Sequence, residues 1–326
     1  MTTSGVMNGP ARAGVIAVVL GCAPADASDD DGADDDLPSP YLDDDGGSEG
    51  ATPALGPEQV AVVATDGLRG FAALQPAQVI AAYEALAVVE DGCPEELDEY
   101  AEGGTTVQIW YSDGCTTSAG VSFAGGARLE RYTLTEEGFE SSGAVLNSEG
   151  ASFSLATADG RSLHLDGAFS YDRGVGAGSS DATVQIFGHA IADAQTAAGS
   201  PLLDGSVSAQ GYMYSYADPD VKVMGGEGAW SGAGLGDARA FSFAGFGVYS
   251  IGCAAEPSGT VSARDAEGFW HDIVFDGITV ENEEPVFDTA LCDGCGSYIA
   301  AGEPGGQACV AASELATLLD WETSPW

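Results

Sequence analysis

From Thr105 onward the apolar residues of this chain recur at every second position, the repeat of a strand with one face buried. In the stretch RSLHLDGAFSY, Leu163, Leu165, Phe169 and Tyr171 share one face, while Ser162, His164, Asp166 and Ser170 share the other. Asp159-Gly160 joins this stretch to ASFSLAT and predicts a tight hairpin. VQIWYS, YMYSY and AFSFAGFGVYS alternate in the same way. In the last of these, Phe241 and Phe243 are odd-numbered but Phe246 and Val248 are even. A β-bulge at Gly245 would restore a common facing.

Before Thr105 the repeat is helical. Pro57 opens a helix that reaches about Ala64, and residues 75–90 give a second, with Val79, Ile80, Tyr83, Leu86 and Ala87 on one stripe and Gly92 as its stop. A closing ASELATLLDW places Leu315, Leu318 and Leu319 on one face of a short C-terminal helix. Many short strands, 47 glycines and no strand–helix alternation predict a mainly β fold of antiparallel sheets with two N-terminal helices and a short C-terminal one. Sandwich, barrel and meander stay open. The expected organisation is a leader over residues 1–21, a linker over 22–50 and a single β-rich domain over 51–326. Within that domain the sequence gives a helical part (56–92), a β-rich part (105–290) and a cysteine-knotted end (291–326).

Charge narrows the partners. Aspartate and glutamate number 51 against nine lysines and arginines, so the formal charge is 9 − 51 = −42. Such a surface repels nucleic acid, whose binding requires basic side chains that displace counterions, and nucleic-acid binding is excluded. Carboxylates in this excess can hold divalent cations, weakly and diffusely, because hard cations bind tightly only to clustered oxygens.

The leader VIAVVLGC, residues 15–22, follows a segment whose only charge is Arg12. It is too short to span a bilayer, which takes about 20 apolar residues, and suits an export signal with a small residue at the cleavage point. It resembles the lipobox of bacterial lipoproteins, with Val19 standing where leucine is commonest. The resemblance covers residues 1–22. It implies that Cys22 carries a diacylglycerol on its sulfur and that Val19, Leu20 and Gly21 are the recognition residues. It further implies anchoring in the bacterial cell envelope, at the outer membrane or cell surface. Residues 24–50 hold eleven acidic residues and no basic ones; such a segment buries too little apolar surface to offset chain entropy and stays disordered. A flexible chain of this length spans roughly 30 Å, and like charges extend it. DDDGADDD is no EF-hand: with Gly32 at the invariant glycine, Ala27 and Pro38 fall where calcium ligands are required.

With Cys22 assigned to lipid, six cysteines remain: Cys93, Cys115, Cys253, Cys292, Cys295 and Cys309. An even number in an exported chain predicts disulfides. Cys93 and Cys115 each follow Asp-Gly and are the expected pair, and Cys253 joins the other three. CDGCG is followed by a turn-rich stretch, not by the helix that a redox site requires.

The sequence names no catalytic residue, no metal-ligand set and no cofactor. His164, His189 and His271 fall on separate strands. Tyr212, Tyr214 and Tyr216 share one strand face and are the candidate binding aromatics for a glycan or protein ligand, although stripes of this kind more often pack in a core. The expectation is therefore a lipid-anchored, extracytoplasmic envelope protein with a non-enzymatic ligand-binding, adhesive or structural role. The alternative is a surface polysaccharide hydrolase using an Asp/Glu pair.

Overall fold

The structure, a computed structural model, describes residues 51–136, 138–192, 205–232, 234–253, 256–281 and 284–323. The expected signal segment over residues 1–21, Cys22 and the expected linker over 22–50 lie outside these residues. The strands are β1 (Glu96–Glu102), β2 (Thr105–Thr116), β3 (Val121–Glu136), β4 (Phe139–Thr157), β5 (Ser162–Val175), β6 (Ser180–Ala192), β7 (Gly205–Ala217) and β8 (Lys222–Gly232). They continue as β9 (Ala240–Tyr249), β10 (Ser258–Arg264), β11 (Trp270–Phe275), β12 (Ile278–Glu281), β13 (Glu284–Phe287), β14 (Cys295–Ala300) and β15 (Glu303–Cys309). From β1 to β11 each strand pairs with the next, and β14 and β15 complete the sheet, so 13 strands form one antiparallel meander that does not close into a barrel.

Local chemistry explains the connections. The β4–β5 hairpin turns at Asp159-Gly160, where the Thr157 N–H donates to the Arg161 carbonyl at 2.9 Å. Phe241, Phe243, Phe246 and Val248 all face the core, because Gly245 adopts φ 58° in a bulge between Ala244 and Gly247 that lets β9 skip one residue against β10. The strands begin earlier than the alternation indicates. β1, ELDEYAE, is exposed along its whole length and has no buried face to betray it; it is held by its ladder to β2 across a Gly103-Gly104 turn. As an edge strand rich in carboxylates it discourages further pairing.

Both helices lie against the inner face of the sheet, and both depart from their predicted lengths. Helix α1 (Pro57–Ala73) runs well past Ala64. Gly67 and Gly70 do not stop it, since they clear space for rings of the sheet: a methyl at Gly67 would meet the Phe241 ring at 2.5 Å, and one at Gly70 the Trp230 ring at 2.6 Å. The Trp230 indole donates to the Gly67 carbonyl at 3.0 Å. Helix α2 (Pro76–Leu86) ends sooner than residue 90, and the chain runs on to Cys93. Its stripe of Val79, Ile80, Tyr83 and Leu86 is buried as the pattern requires. Helix α3 (Ala312–Leu315) continues as a 3₁₀ turn (Ala316–Thr323), burying Leu315 and Leu318 in the same core.

Three cysteine pairs lie at disulfide distance: Cys93 with Cys115, Cys253 with Cys292, and Cys295 with Cys309. Cys253 pairs within the group of Cys292, Cys295 and Cys309, and β14 and β15 extend the sheet itself. The buried Glu256 carboxylate organises this end. It accepts the N–H groups of Gly277 at 2.7 Å, Asp293 at 3.1 Å, and Asp276 and Gly294 at 3.3 Å, tying two turns together.

A second buried polar set fixes the start of the domain. His271 reaches the Asp265 Oδ2 at 2.9 Å through Nε2 and the Tyr298 hydroxyl at 2.8 Å through Nδ1. The Tyr298 hydroxyl donates to the Leu55 carbonyl, and the Ala54 N–H donates to Asp265, both at 2.8 Å. Burial alone would raise the Asp265 carboxyl, but the Ala54 N–H, His271 and the Phe269 N–H outweigh it and hold it below the usual carboxylate range.

Candidate functional site

The outer face of the sheet carries the candidate site. In β7, Met213 and Ser215 point into the core, so Tyr212, Tyr214 and Tyr216 must point the opposite way. They are 37, 37 and 39 % exposed, on a face that the helices leave open. This corrects the expectation that such a stripe packs in a core: the core-facing positions of β7 are filled by smaller residues, and the helices already supply the aromatic partners inside.

Glycines stand opposite three outer-face tyrosines, of which Tyr214 belongs to the row. Tyr111 lies opposite Gly126, Tyr132 opposite Gly143 and Tyr214 opposite Gly225. In each pair a methyl on the glycine would collide with the tyrosine, at 2.7, 2.5 and 2.9 Å respectively. Each glycine thus makes room for a ring lying across the neighbouring strand, and the ring in turn covers backbone that glycine would leave bare. Tyr212 and Tyr214 are nearly parallel, with an interplanar angle of 24° and centroids 6.4 Å apart.

The neighbours are polar. Gln185 and Glu227 flank Tyr212, Thr183 and Gly225 flank Tyr214, and Asp181 and Val223 flank Tyr216. Diagonally across, Phe187 is 65 % exposed, a residue that the sequence pattern did not single out. The phenols are kept protonated: burial followed by Glu227 raises Tyr212, and burial followed by Tyr249 raises Tyr214. Burial, then a 3.1 Å hydrogen bond to Asp218, raises Tyr216. At the far end of the row the β12–β13 hairpin packs on the same outer face, with Phe287 edge-on to Tyr249 at 5.5 Å.

A second feature lies under α2, a cleft of about 550 Å³ lined by Tyr83, Glu84, Glu99, Gln108 and Arg131. The Trp110 indole donates to the Tyr83 hydroxyl at 2.8 Å, that hydroxyl to Gln108 at 3.1 Å, and the Gln108 amide to Glu99 at 2.7 Å. Burial pushes the Tyr83 phenol up to about 12. Arg131 grips Glu84 with two nitrogens at 2.8 and 2.6 Å. Two carboxylates therefore share one cleft, but both are solvated and both act as hydrogen-bond acceptors. Glu99 escaped notice because β1 itself did.

The remaining candidates are dispersed. His164 bonds Ser154 at 2.8 Å on the outer face and His271 is sealed within the core. The Asp265–His271–Tyr298 set has catalytic residue types but is buried and spent on its own chain. Among the described residues no three His, Cys, Asp or Glu side chains are placed to hold a metal ion, and no helix is long and apolar enough to cross a membrane. Comparison with known proteins returns no matching family model, no similar curated protein and no similar solved structure, so the site rests on its own geometry.

Proposed function

We propose that the chain is a lipid-anchored protein of the bacterial cell envelope that presents a disulfide-braced sheet for ligand binding or adhesion, without catalysis. The anchor is Cys22, and the acidic linker holds the domain off the membrane at the outer membrane or cell surface. The observation that carries the binding role is the row Tyr212, Tyr214 and Tyr216, exposed together on one open face. Tyrosine supplies rigid contact area with a polar tip and is enriched where proteins meet ligands. The carboxylate excess adds diffuse, weak association with divalent cations.

Expression of the full chain in a bacterial host tests both halves. Mass spectrometry of the mature protein is expected to find a diacylglyceryl group on Cys22, absent in Cys22→Ser. Cells displaying Tyr212→Ala/Tyr214→Ala are expected to lose the adhesion shown by cells displaying the wild type. An unmodified Cys22 contradicts the anchor, and unchanged adhesion contradicts the face.

One observation favours the hydrolase as a second reading: Glu84 and Glu99 in one cleft. That reading requires sugar release from a polysaccharide that disappears in Glu99→Gln. A proton-donating acid calls for a desolvated carboxyl, whereas Glu84 is bound bidentately by a guanidinium, which is why binding without catalysis stands first.

A further inference from the structure

The chemistry around the tyrosine row points to a class of ligand. Resting on the binding face proposed above, we infer that this face takes an uncharged polysaccharide chain of equatorially linked pyranose rings, lying across β6, β7 and β8. Three observations converge on it.

The first is the way the rings are presented. A methyl at Gly225 would sit 2.9 Å from the Tyr214 hydroxyl oxygen and 3.1 Å from the adjoining ring carbon, so this side chain reaches across to β8 with its tip over the glycine while 37 % of the residue stays exposed. Tyr212 lies nearly parallel to it with centroids 6.4 Å apart, and the two form one exposed aromatic pair. Phe187, exposed on β6 and diagonal to Tyr212, adds a third exposed ring on the neighbouring strand. A pyranose with equatorial substituents has two flat faces of C–H bonds, which suit an aromatic face, and a rim of hydroxyls, which does not.

The second observation is what lies between the rings. The Gln185 amide and the Glu227 carboxylate flank Tyr212, the Thr183 hydroxyl flanks Tyr214, and Gln210 stands opposite Phe187. These groups alternate with the rings at the spacing of neighbouring strands, about 4.8 Å. They offer both donors and acceptors to hydroxyls at the edge of a sugar lying on these rings. A protein partner would instead call for an interface core depleted of charge and rich in apolar contacts, which Glu227 and Asp181 interrupt.

The third is charge. No side chain directly opposite the row on β6 or β8 is positive, while Asp181, Glu227 and, at the hairpin beyond, Asp218 are carboxylates. Together with a formal charge of −42 on the chain, this rejects polyanions and leaves neutral chains.

The experiment uses the full chain and four probes: cellohexaose, chitohexaose, the C6-carboxylated counterpart of cellohexaose, and axially linked maltohexaose. Calorimetry and affinity electrophoresis are run on the wild type and on the Tyr→Ala and Tyr→Phe variants of Tyr212 and Tyr214. At least one of the two neutral, equatorially linked hexasaccharides is expected to bind. Each alanine variant is expected to weaken it by about tenfold or more, about 1.4 kcal/mol per tenfold, while the phenylalanine variants stay within about threefold. The carboxylated and axial probes are expected to bind at least about tenfold more weakly. Alanine variants whose unfolding curves match the wild type separate lost binding from lost folding. Binding of neither neutral hexasaccharide at millimolar concentration, equal binding of the carboxylated probe, or alanine variants that bind as well as the wild type would each overturn the inference. If cell adhesion disappears in the alanine variants while no oligosaccharide binds, the face is a protein-binding one and only the ligand class falls. If adhesion survives in them, the binding face falls as well.

Discussion

The two faces of this sheet are built from alternate residues of the same strands, yet they solve different problems. Inside, Trp110, Phe123, Phe153, Phe169, Trp230, Phe241 and Phe243 are sealed beneath two helices, with Trp110 edge-on to Phe123 at 5.1 Å and Phe241 stacked with Phe243 at 6.1 Å. Outside, Tyr212, Tyr214 and Tyr216 keep part of each side chain in water, and Tyr214 reaches over Gly225. Burying a large aromatic contributes several kcal/mol, whereas a ring already one-third exposed and backed by a glycine contributes far less. The contrast teaches that stability rests on the inner set and leaves the outer set available for recognition.

The largest effect is expected inside. Trp230→Ala removes a ring packed on Gly70 and the indole hydrogen bond to the Gly67 carbonyl, and urea unfolding should register a loss of about 3–5 kcal/mol. Next comes the polar clamp on Ala54 and Leu55: Asp265→Asn should cost about 3 kcal/mol near neutral pH, because it leaves a buried network without its charged acceptor. Since the folded Asp265 is held below the usual carboxylate range, its contribution is present above the unfolded value of about 3.9 and is lost as the pH falls through the folded value. The gap between wild type and Asp265→Asn in thermal unfolding should therefore narrow on acidification; a gap that stays constant rules the clamp out. Reducing the Cys93–Cys115 bridge, which closes a 22-residue separation, should cost about 3 kcal/mol by releasing the unfolded chain, read as a lower urea midpoint in the Cys93→Ser/Cys115→Ser variant. The smallest effect is outside. Tyr212→Phe should change stability by less than about 0.5 kcal/mol, as expected of a surface position that loses only a solvated hydroxyl.

The inner face was legible in the sequence and the outer face only in part. Period-two alternation marked Leu163, Leu165 and Phe169 as buried, and the parity slip at Gly245 located a bulge, because both signals come from the burial that selects these residues. β1 carried no such signal: ELDEYAE is exposed on both sides and is a strand only through its ladder to β2. Helix α1 runs past Ala64 through Gly67 and Gly70, residues that ordinarily weaken helices and that here make room for the Phe241 and Trp230 rings of strands more than a hundred residues away. The tyrosine row was visible as alternation but not as exposure, since alternation gives the two faces without saying which one the helices cover. Phe187 shares the parity of His189 and the exposed positions of β6, and would have been found had β6 been assigned.

The central claim is that the inward aromatics hold the fold together and the outward ones do not. Its most direct test is urea unfolding of Tyr212→Ala/Tyr214→Ala beside Trp230→Ala under identical conditions. The account predicts that the double tyrosine variant loses less than about 2 kcal/mol and unfolds with an unchanged slope, while the single tryptophan variant loses about 3–5 kcal/mol. A double variant that loses as much as Trp230→Ala would mean that the outer rings hold the fold together, and would contradict the division of labour between the two faces.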